Sequence, residues 1–524
     1  MAIALRRALP NPFAGMITDE NYMWFAAFPV ILGMFIAIVD SSIVNVAMPH
    51  IMAAFGAGVE DIEWVSTGYM LAAALMMSMT GFLGDRFGRK KLYTVALLLF
   101  TLISGLCGFA WSINSLVFFR VLQGMTGGML QPIGQAILFE AFPPEKRGMS
   151  MALVGLGAMF APMVGPTLGG YLVDCLSWRW IFYVNLPFGF LASFIALSVL
   201  RESRRKPVKF DGWGFLSMAL FLPTLLLAIS QGNSKGWTSE YIVGLFAVAM
   251  VLFAFFLVVM FWRREPIVDL RLFRYTTYSA GTITSIVMGI GSFGGIFLMP
   301  MFLQGLMGYT AIQTGLLMMP QALIMGALMP VAGALLNRID PRIQIVAGLF
   351  LMGIAMLLQS TMTPETSVWL LVGWTTLRGV GMAIMFPAMN QTALGAVPIQ
   401  KIGQASGLFS VTRQVGSTFG IALIANLLTQ RLAFHMATLG QDMARNGIAR
   451  PFLAGLLGPL VRHGASLPLA QQQASALFGQ LALRQVQIAA YQDTFWVAGW
   501  IILAGILPAC FVIKREHPWE ASHR

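Results

Sequence analysis

The sequence predicts an all-helical, polytopic membrane protein with fourteen transmembrane helices, and three observations carry that prediction. Of its 524 residues, 57% are apolar and only 10% charged, with a mean hydropathy of +0.76; a soluble globular domain carries about 25% charged residues. The apolar residues fall into runs near the roughly 20 residues that a helix needs to cross a hydrocarbon core about 30 Å thick. Lys and Arg gather in the connections between alternate runs. This composition argues against soluble enzymes, disulfide scaffolds and disordered tails.

The first run, 24–48, follows a segment in which Arg6 and Arg7 lead to Pro10 and Pro12 without a short apolar core or a small-residue cleavage site. It therefore reads as a retained helix rather than a secretory leader. Runs follow at 64–84, 92–111, 116–140, 149–173 and 178–200, then a pair at 213–231 and 240–262. The rest lie at 279–303, 312–336, 343–360, 367–391, 404–430 and 494–513. An even count places both termini on one side. With that side cytoplasmic, the tails and inner loops hold 23 of the 33 Lys and Arg, among them Arg86, Arg89, Lys90, Lys91, Arg201, Arg263 and Arg264. The short outer loops hold two, Arg179 and Lys235. The net charge of +12 is thus an orientation signal. Basic residues spread over separate inner segments form no nucleic-acid stripe. Cys107, Cys175 and Cys510 are too scattered for a disulfide framework.

Sliding the chain along itself reveals a thin but ordered repeat. Gly81-Phe-Leu-Gly-Asp-Arg86 pairs with Gly333-Ala-Leu-Leu-Asn-Arg338, and Gly124, Pro132, Lys146, Gly148 and Gly165 pair with Gly379, Pro387, Lys401, Gly403 and Gly420. Repeated halves are how many secondary transporters place one site at mid-membrane between two bundles that rock against each other. The expected organisation is a cytoplasmic segment 1–23, a six-helix bundle 24–200, an inserted two-helix linker 201–276, a second bundle 277–513 containing a periplasmic loop 431–493, and a cytoplasmic tail 514–524.

The stretch Gly81-Phe-Leu-Gly-Asp-Arg-Phe-Gly-Arg-Lys-Lys91, between the second and third runs, is the most specific signal. Gly81 and Gly84 allow close helix approach, Gly88 permits a tight turn, and Asp85 can meet Arg89 or a helix N-terminus. It resembles the signature loop of the major facilitator superfamily. Val39-Asp-Ser-Ser-Ile-Val-Asn-Val-Ala-Met-Pro49, Arg120-Val-Leu-Gln-Gly124 and Ala161-Pro-Met-Val-Gly-Pro-Thr-Leu-Gly-Gly170 narrow the likeness. So do Trp178-Arg-Trp-Ile-Phe-Tyr-Val-Asn-Leu-Pro187 and Gly308-Tyr-Thr-Ala-Ile-Gln-Thr-Gly315. Together they are similar to the EmrB/QacA-type fourteen-helix drug:proton antiporters, over nearly the whole chain.

The resemblance implies a major facilitator fold with an inserted helix pair. It makes Gly81, Asp85, Arg86, Gly88, Arg89 and Glu140 a conformational gate, with Glu140 as the carboxylate that joins the charge network. It makes Pro162, Gly165, Pro166, Gly169 and Gly170 the antiporter motif, where a missing amide and bare glycines bend a helix and admit a close partner. It assigns Arg120 to proton transfer. Two departures stand out: Ser42 replaces the usual Thr, and Asn337 replaces the Asp of the second-half loop, weakening that charge network.

Four ionised groups lie well inside the runs: Asp40, Arg120, Arg378 and Arg413. Each costs at least about 2.5–3.5 kcal/mol on insertion scales, so such groups face cavities or one another. Asp40 is the only carboxylate among them. With the first helix ending at Pro49, Asp40 belongs to the outer half, as does Arg120. Burial and a neighbouring Arg pull a carboxylate's proton affinity in opposite directions, so moving the Arg or admitting substrate can load or release a proton. Asp40 and Arg120 are therefore the proton-coupling candidates. Arg378 and Arg413 leave the interior positive, which favours lipophilic anions or weak acids as cargo. Met301, Gln304, Met385, Phe386 and Asn390 join Arg378 as substrate-binding candidates, because flexible thioethers and a few polar groups suit a pocket of many shapes.

Residues 431–493 form the one long hydrophilic connection, with helical composition near 431–446 and 469–492. In the resembled family such an outer loop works with a periplasmic membrane-fusion adaptor and an outer-membrane channel. No Gly-Lys pair exists in the chain, so no phosphate loop of that type is present. No metal-binding helix or nucleophile–base pair is recognisable, and no cofactor is expected beyond the proton gradient. The function expected is proton-coupled multidrug efflux through a bacterial inner membrane. A dedicated exporter of one metabolite, such as a siderophore or fatty acid, shares these motifs, whereas a non-transporting sensor or assembly protein would not need the alternating contacts of the 81–91 loop and the 161–170 stretch.

Overall fold

The computed structural model describes residues 16–203, 211–263, 266, 268–336, 338–446, 455, 459, 461–462 and 466–512. Lipid offers the backbone no partner, so each crossing segment closes its hydrogen bonds internally as a helix. The long helices are α1 (Tyr22–Phe55), α2 (Val59–Phe87), α3 (Arg89–Gly108), α4 (Ile113–Ala141), α5 (Arg147–Cys175), α6 (Trp180–Val199), α7 (Gly212–Lys235) and α8 (Glu240–Trp262). They continue with α9 (Thr276–Gly305), α10 (Ala311–Leu335), α11 (Pro341–Gln359), α12 (Val368–Gly395), α13 (Ile402–Asn446) and α14 (Leu467–Ala509, with a turn at Gly505). Each of the fourteen apolar runs falls on one of these helices.

Among the described residues, eleven helices are long and apolar enough to cross a membrane by length and composition. The helices α4, α5 and α9 also reach 29 to 30 residues, and α4 interrupts its aliphatic residues with several Gly and Gln. Gly, Ser, Thr and Gln replace aliphatic side chains where a membrane helix faces other helices rather than lipid. The ends are fixed by local chemistry. Ser112 and Ser115 form a capping box on α4, Thr310 and Gln313 another on α10, and Asp211, Ser239 and Asp340 cap α7, α8 and α11.

Two boundaries depart from the sequence reading. Pro49 lies inside α1, which continues to Phe55, because a membrane helix tolerates the loss of one amide. Asp40 therefore sits just beyond the middle of α1, farther from the helix end than a stop at Pro49 would place it. The stretch 431–446 is helical, as its composition suggests, but as an unbroken continuation of α13 to Asn446, and α14 already starts at Leu467. Polar composition marked where the chain leaves lipid, and the helix does not stop there. At 45 residues α13 is about 67 Å long, so it projects well beyond a hydrocarbon core of about 30 Å.

Helices α1–α6 pack among themselves, as do α9–α14, and α5–α10 and α2–α13 form the seam between the groups. The pair α7–α8 lies outside the groups, with α7 against both α2 and α13, where Asn233 donates to the Ala422 carbonyl at 3.0 Å. The seam uses the repeat. A Cβ on Gly148 would stand 2.1 Å from the Gly333 carbonyl oxygen, and one on Gly333 2.4 Å from that of Gly148. The equivalent crossing sets Gly81 against the backbone of Gly403 and Gln404, with a Cβ at 2.6 Å from Gln404. Ser406 adds a hydrogen bond to the Pro132 carbonyl at 3.1 Å. The paired glycines of the two halves thus meet one another, backbone on backbone, at the end of the bundles that carries the Arg89 loop.

Candidate functional site

Asp40 is wholly enclosed and fully satisfied. Its Oδ2 accepts from Arg120 Nη1 at 2.5 Å, and its Oδ1 accepts from Gln123 Nε2 at 3.0 Å and Asn185 Nδ2 at 2.7 Å. Arg120 also donates to Gln123 Oε1 at 2.8 Å and to the Val65 carbonyl at 3.2 Å, and its guanidinium lies 4.2 Å from the centre of the Tyr69 ring. Asn185 donates onward to Ser104 Oγ at 3.0 Å, and Ser104 donates to the Phe182 carbonyl at 2.9 Å. One carboxylate therefore ties α1 to α4 and α6, and through them to α2 and α3. Among the described residues it is the only acid in the interior of a span.

An ionised carboxylate only accepts hydrogen bonds, and here every partner is a donor. A proton on Asp40 would put a donor against those donors and cancel the charge that balances Arg120. The packing of α1, α4 and α6 thus converges on this one carboxyl. The Gly-rich stretch 161–170 of α5 touches the same place. A Cβ on Gly165 would stand 2.5 Å from Ser42 Oγ, and one on Gly169 3.3 Å from Ile43, so α5 presses on α1 one turn from Asp40. Gly170 meets nothing within 4 Å, and the side chains of Pro162 and Pro166 lie outside the described residues.

The turn between α2 and α3 is held by charge. Gly88 has φ +91°, the conformation its sequence position required. Arg89 pairs with Asp85 at 3.5 Å and with Glu140 at the end of α4, and its guanidinium rests on Gly403 of α13 across the seam. Glu202, after α6, accepts from the Lys90 and Lys91 amides at 3.1 and 3.3 Å. Arg86 is exposed beside Phe87, 5.8 Å from its ring centre, and Gly84 meets the Arg89 stem. Asn337 lies outside the described residues.

The substrate candidates do not form one cluster. Arg378 is buried among α9, α10 and α11, donating from Nη2 to Gln321 Oε1 at 3.1 Å, with Nη1 unpartnered. Arg413 lies 5.7 Å from the Phe386 ring centre, its Nη1 also unpartnered. No described acid pairs with either guanidinium. Phe386 reaches the seam, where it abuts Gly155 of α5. Asn390 donates to the Phe386 carbonyl at 2.8 Å and leaves its Oδ1 buried without a partner. Met385 instead packs on Gly348 of α11, and Met301 and Gln304 are exposed. Where Leu156 and Phe160 face Met325 and Met329, the seam has no room for a water molecule.

Four members of the Asp40 network were not singled out from the sequence: Gln123, Asn185, Ser104 and Tyr69. Gln123 and Asn185 stand inside the quoted family stretches, and Gln123 follows Arg120 by three residues, one helical turn. An uncharged amide in a span draws no notice by itself.

Residues 30–421 match the family model "Major Facilitator Superfamily". Over 90% of its length the chain is 30% identical to "Multidrug export protein EmrB" of Escherichia coli K12, covering 92% of that protein. It is 32% identical to "Multidrug resistance protein B homolog" of Mycobacterium tuberculosis over 94% of the chain and 90% of the relative. "Multidrug transporter protein MdtP" of Bacillus subtilis is 32% identical over 78% and 77%. The solved proton:xylose symporter XylE superposes with a TM-score of 0.58 at 14% identity, covering 94% of this chain and 96% of that one.

Proposed function

The chain belongs to the major facilitator superfamily, a transporter family, and from that premise we propose that it exports lipophilic compounds from the cytoplasm in exchange for protons. The observation that carries this reading is Asp40: a single enclosed carboxylate whose three donors come from α4 and α6, beside the contact of α5 with α1. Relatives named as multidrug exporters support the cargo class. In the state described here the glycine seam is closed at the end bearing the Arg89 loop, the end that the excess of Lys and Arg assigns to the cytoplasm. A proton entering from outside discharges Asp40, loosens its grip on α4 and α6, and lets the bundles tilt until that seam opens. Cargo entering from the cytoplasm favours proton release and the return.

Arg378 and Arg413, without a described acid partner, give the second half a positive interior that favours anions and weak acids. Proteoliposomes with an imposed pH gradient should transport a sulfonated dye faster than a quaternary ammonium dye of similar size. Gln at both arginine positions should remove the difference. Faster transport of the cation by the unaltered protein would overturn the anion preference.

Beyond the membrane, the extensions of α13 and α14 supply a surface for a periplasmic adaptor that continues the path to an outer-membrane channel. Deleting 440–485 should abolish co-purification of the adaptor while leaving transport into proteoliposomes intact. Adaptor binding that survives the deletion would remove the extensions from the interface.

A further inference from the structure

A polar crevice of about 410 Å³ lies far from Asp40, at the outer ends of α11, α13 and α14, lined by Ser360, Arg431, Gln492, Asp493, Trp496 and Val497. Its depth in the bilayer follows from α11. The 19 residues of that helix rise about 28 Å, one hydrocarbon thickness, and Ser360 is the residue after its end. Trp496 and Trp500, each about half exposed on α14, and Trp369, exposed at the start of α12, stand at the level where tryptophan collects in membrane proteins. The crevice therefore opens among phospholipid headgroups of the outer leaflet.

Its chemistry is bipolar. Asp493 Oδ2 accepts from His435 Nε2 at 2.8 Å and lies 3.7 Å from Arg431 Nη1. That loose ion pair is the only polar contact of Arg431 among the described residues, and its side chain is 40% exposed, so the guanidinium fork remains available. Gln492 donates to the Met362 carbonyl at 2.9 Å, which ties α14 to the loop above α11. A cation and an anion side by side, above the apolar faces of Trp496 and Val497, complement a headgroup that carries a phosphate next to a primary ammonium.

We propose that this crevice binds a zwitterionic aminophospholipid, its phosphate on Arg431, its ammonium on Asp493 and its chains along Trp496 and Trp500. An ammonium with three N–H donors can hydrogen-bond Asp493. A trimethylated headgroup has none to give, and a glycerol headgroup carries no cation to balance the acid. The lipid would brace the root of the α13–α14 projection against α11.

Native mass spectrometry of the full-length purified protein, offered equal amounts of phosphatidylethanolamine, phosphatidylcholine and phosphatidylglycerol, tests this. The unaltered protein should retain phosphatidylethanolamine several-fold over the other two. Asp493→Asn should erase that preference, and Arg431→Gln should lower retention of all three. A measurement that needs no variant is stepwise N-methylation of the ethanolamine, which should reduce occupancy with each methyl. Equal retention of the three lipids, indifference to methylation, or folded variants that keep the original preference would each overturn the proposal.

Discussion

Asp40→Asn is expected to abolish export driven by a pH gradient, down to the level of protein-free vesicles, while leaving the protein folded in the membrane. The asparagine keeps the volume of the side chain and still offers Arg120 an acceptor oxygen, so the crossing of α1 and α4 survives. It removes the titratable group, the one carboxyl that the described spans hold in their interior. Arg120→Ala separates structure from coupling. It strips Asp40 of its charge partner and leaves Gln123 and Asn185 as its donors, and breaking a buried pair by removing one member costs about 3–5 kcal/mol. Both variants should melt below the native protein, since each leaves a buried charge without its partner, and Arg120→Ala should fall further because Asn at position 40 still offers Arg120 an acceptor oxygen. Gradient-driven flux and thermal melting of the two purified variants give the comparison, and an Asp40→Asn protein that still responds to the gradient would take the carboxyl out of the mechanism.

The second large effect concerns the seam. Gly148→Val should trap the transporter with its cytoplasmic end open, because the new Cβ would meet the Gly333 carbonyl oxygen at 2.1 Å and neither backbone can withdraw within its own bundle. Each bundle keeps its internal packing, so the variant should insert and fold. Reversing a population from 1:99 to 99:1 takes about 5.5 kcal/mol, a scale that a clash between two backbones in one conformation reaches. The readout is alkylation from the cytoplasmic face of a cysteine placed by Gln404→Cys, with the exposed Cys175 and Cys510 replaced by serine. Labelling should be slow in the otherwise native protein and fast with Gly148→Val, and transport should be lost. Equal labelling would mean that the glycine crossing does not form the gate.

The sequence carried those parts of the architecture whose physical signal is strong and local. Lipid forces long apolar runs, so every span fell on a helix. A charge inside a span is so costly that the sequence alone marks Asp40 and Arg120, and they meet at 2.5 Å. Gly88 was legible because its turn needs a positive φ, and the repeat was legible because its glycines are the points where the halves touch. The rest failed for matching reasons. Asn185 and Gln123 carry no charge to betray them. Met385 could not be told from a cavity residue, since α12 is apolar on most sides and has no stripe that marks the face turned to α11. The helices α1 and α13 run on past their apolar stretches because Pro49 and the polar residues after Leu428 are signals about amides and solvent, and neither forbids a helix to continue.

The central claim is that cargo and proton compete through Asp40. The most direct test is the release of protons from purified protein in weakly buffered solution when a permanently charged or neutral lipophilic cargo is added. The native protein should release protons in proportion to the cargo bound, and Asp40→Asn should bind cargo and release none. Cargo binding to the native protein without proton release, or equal release from Asp40→Asn, would contradict the account.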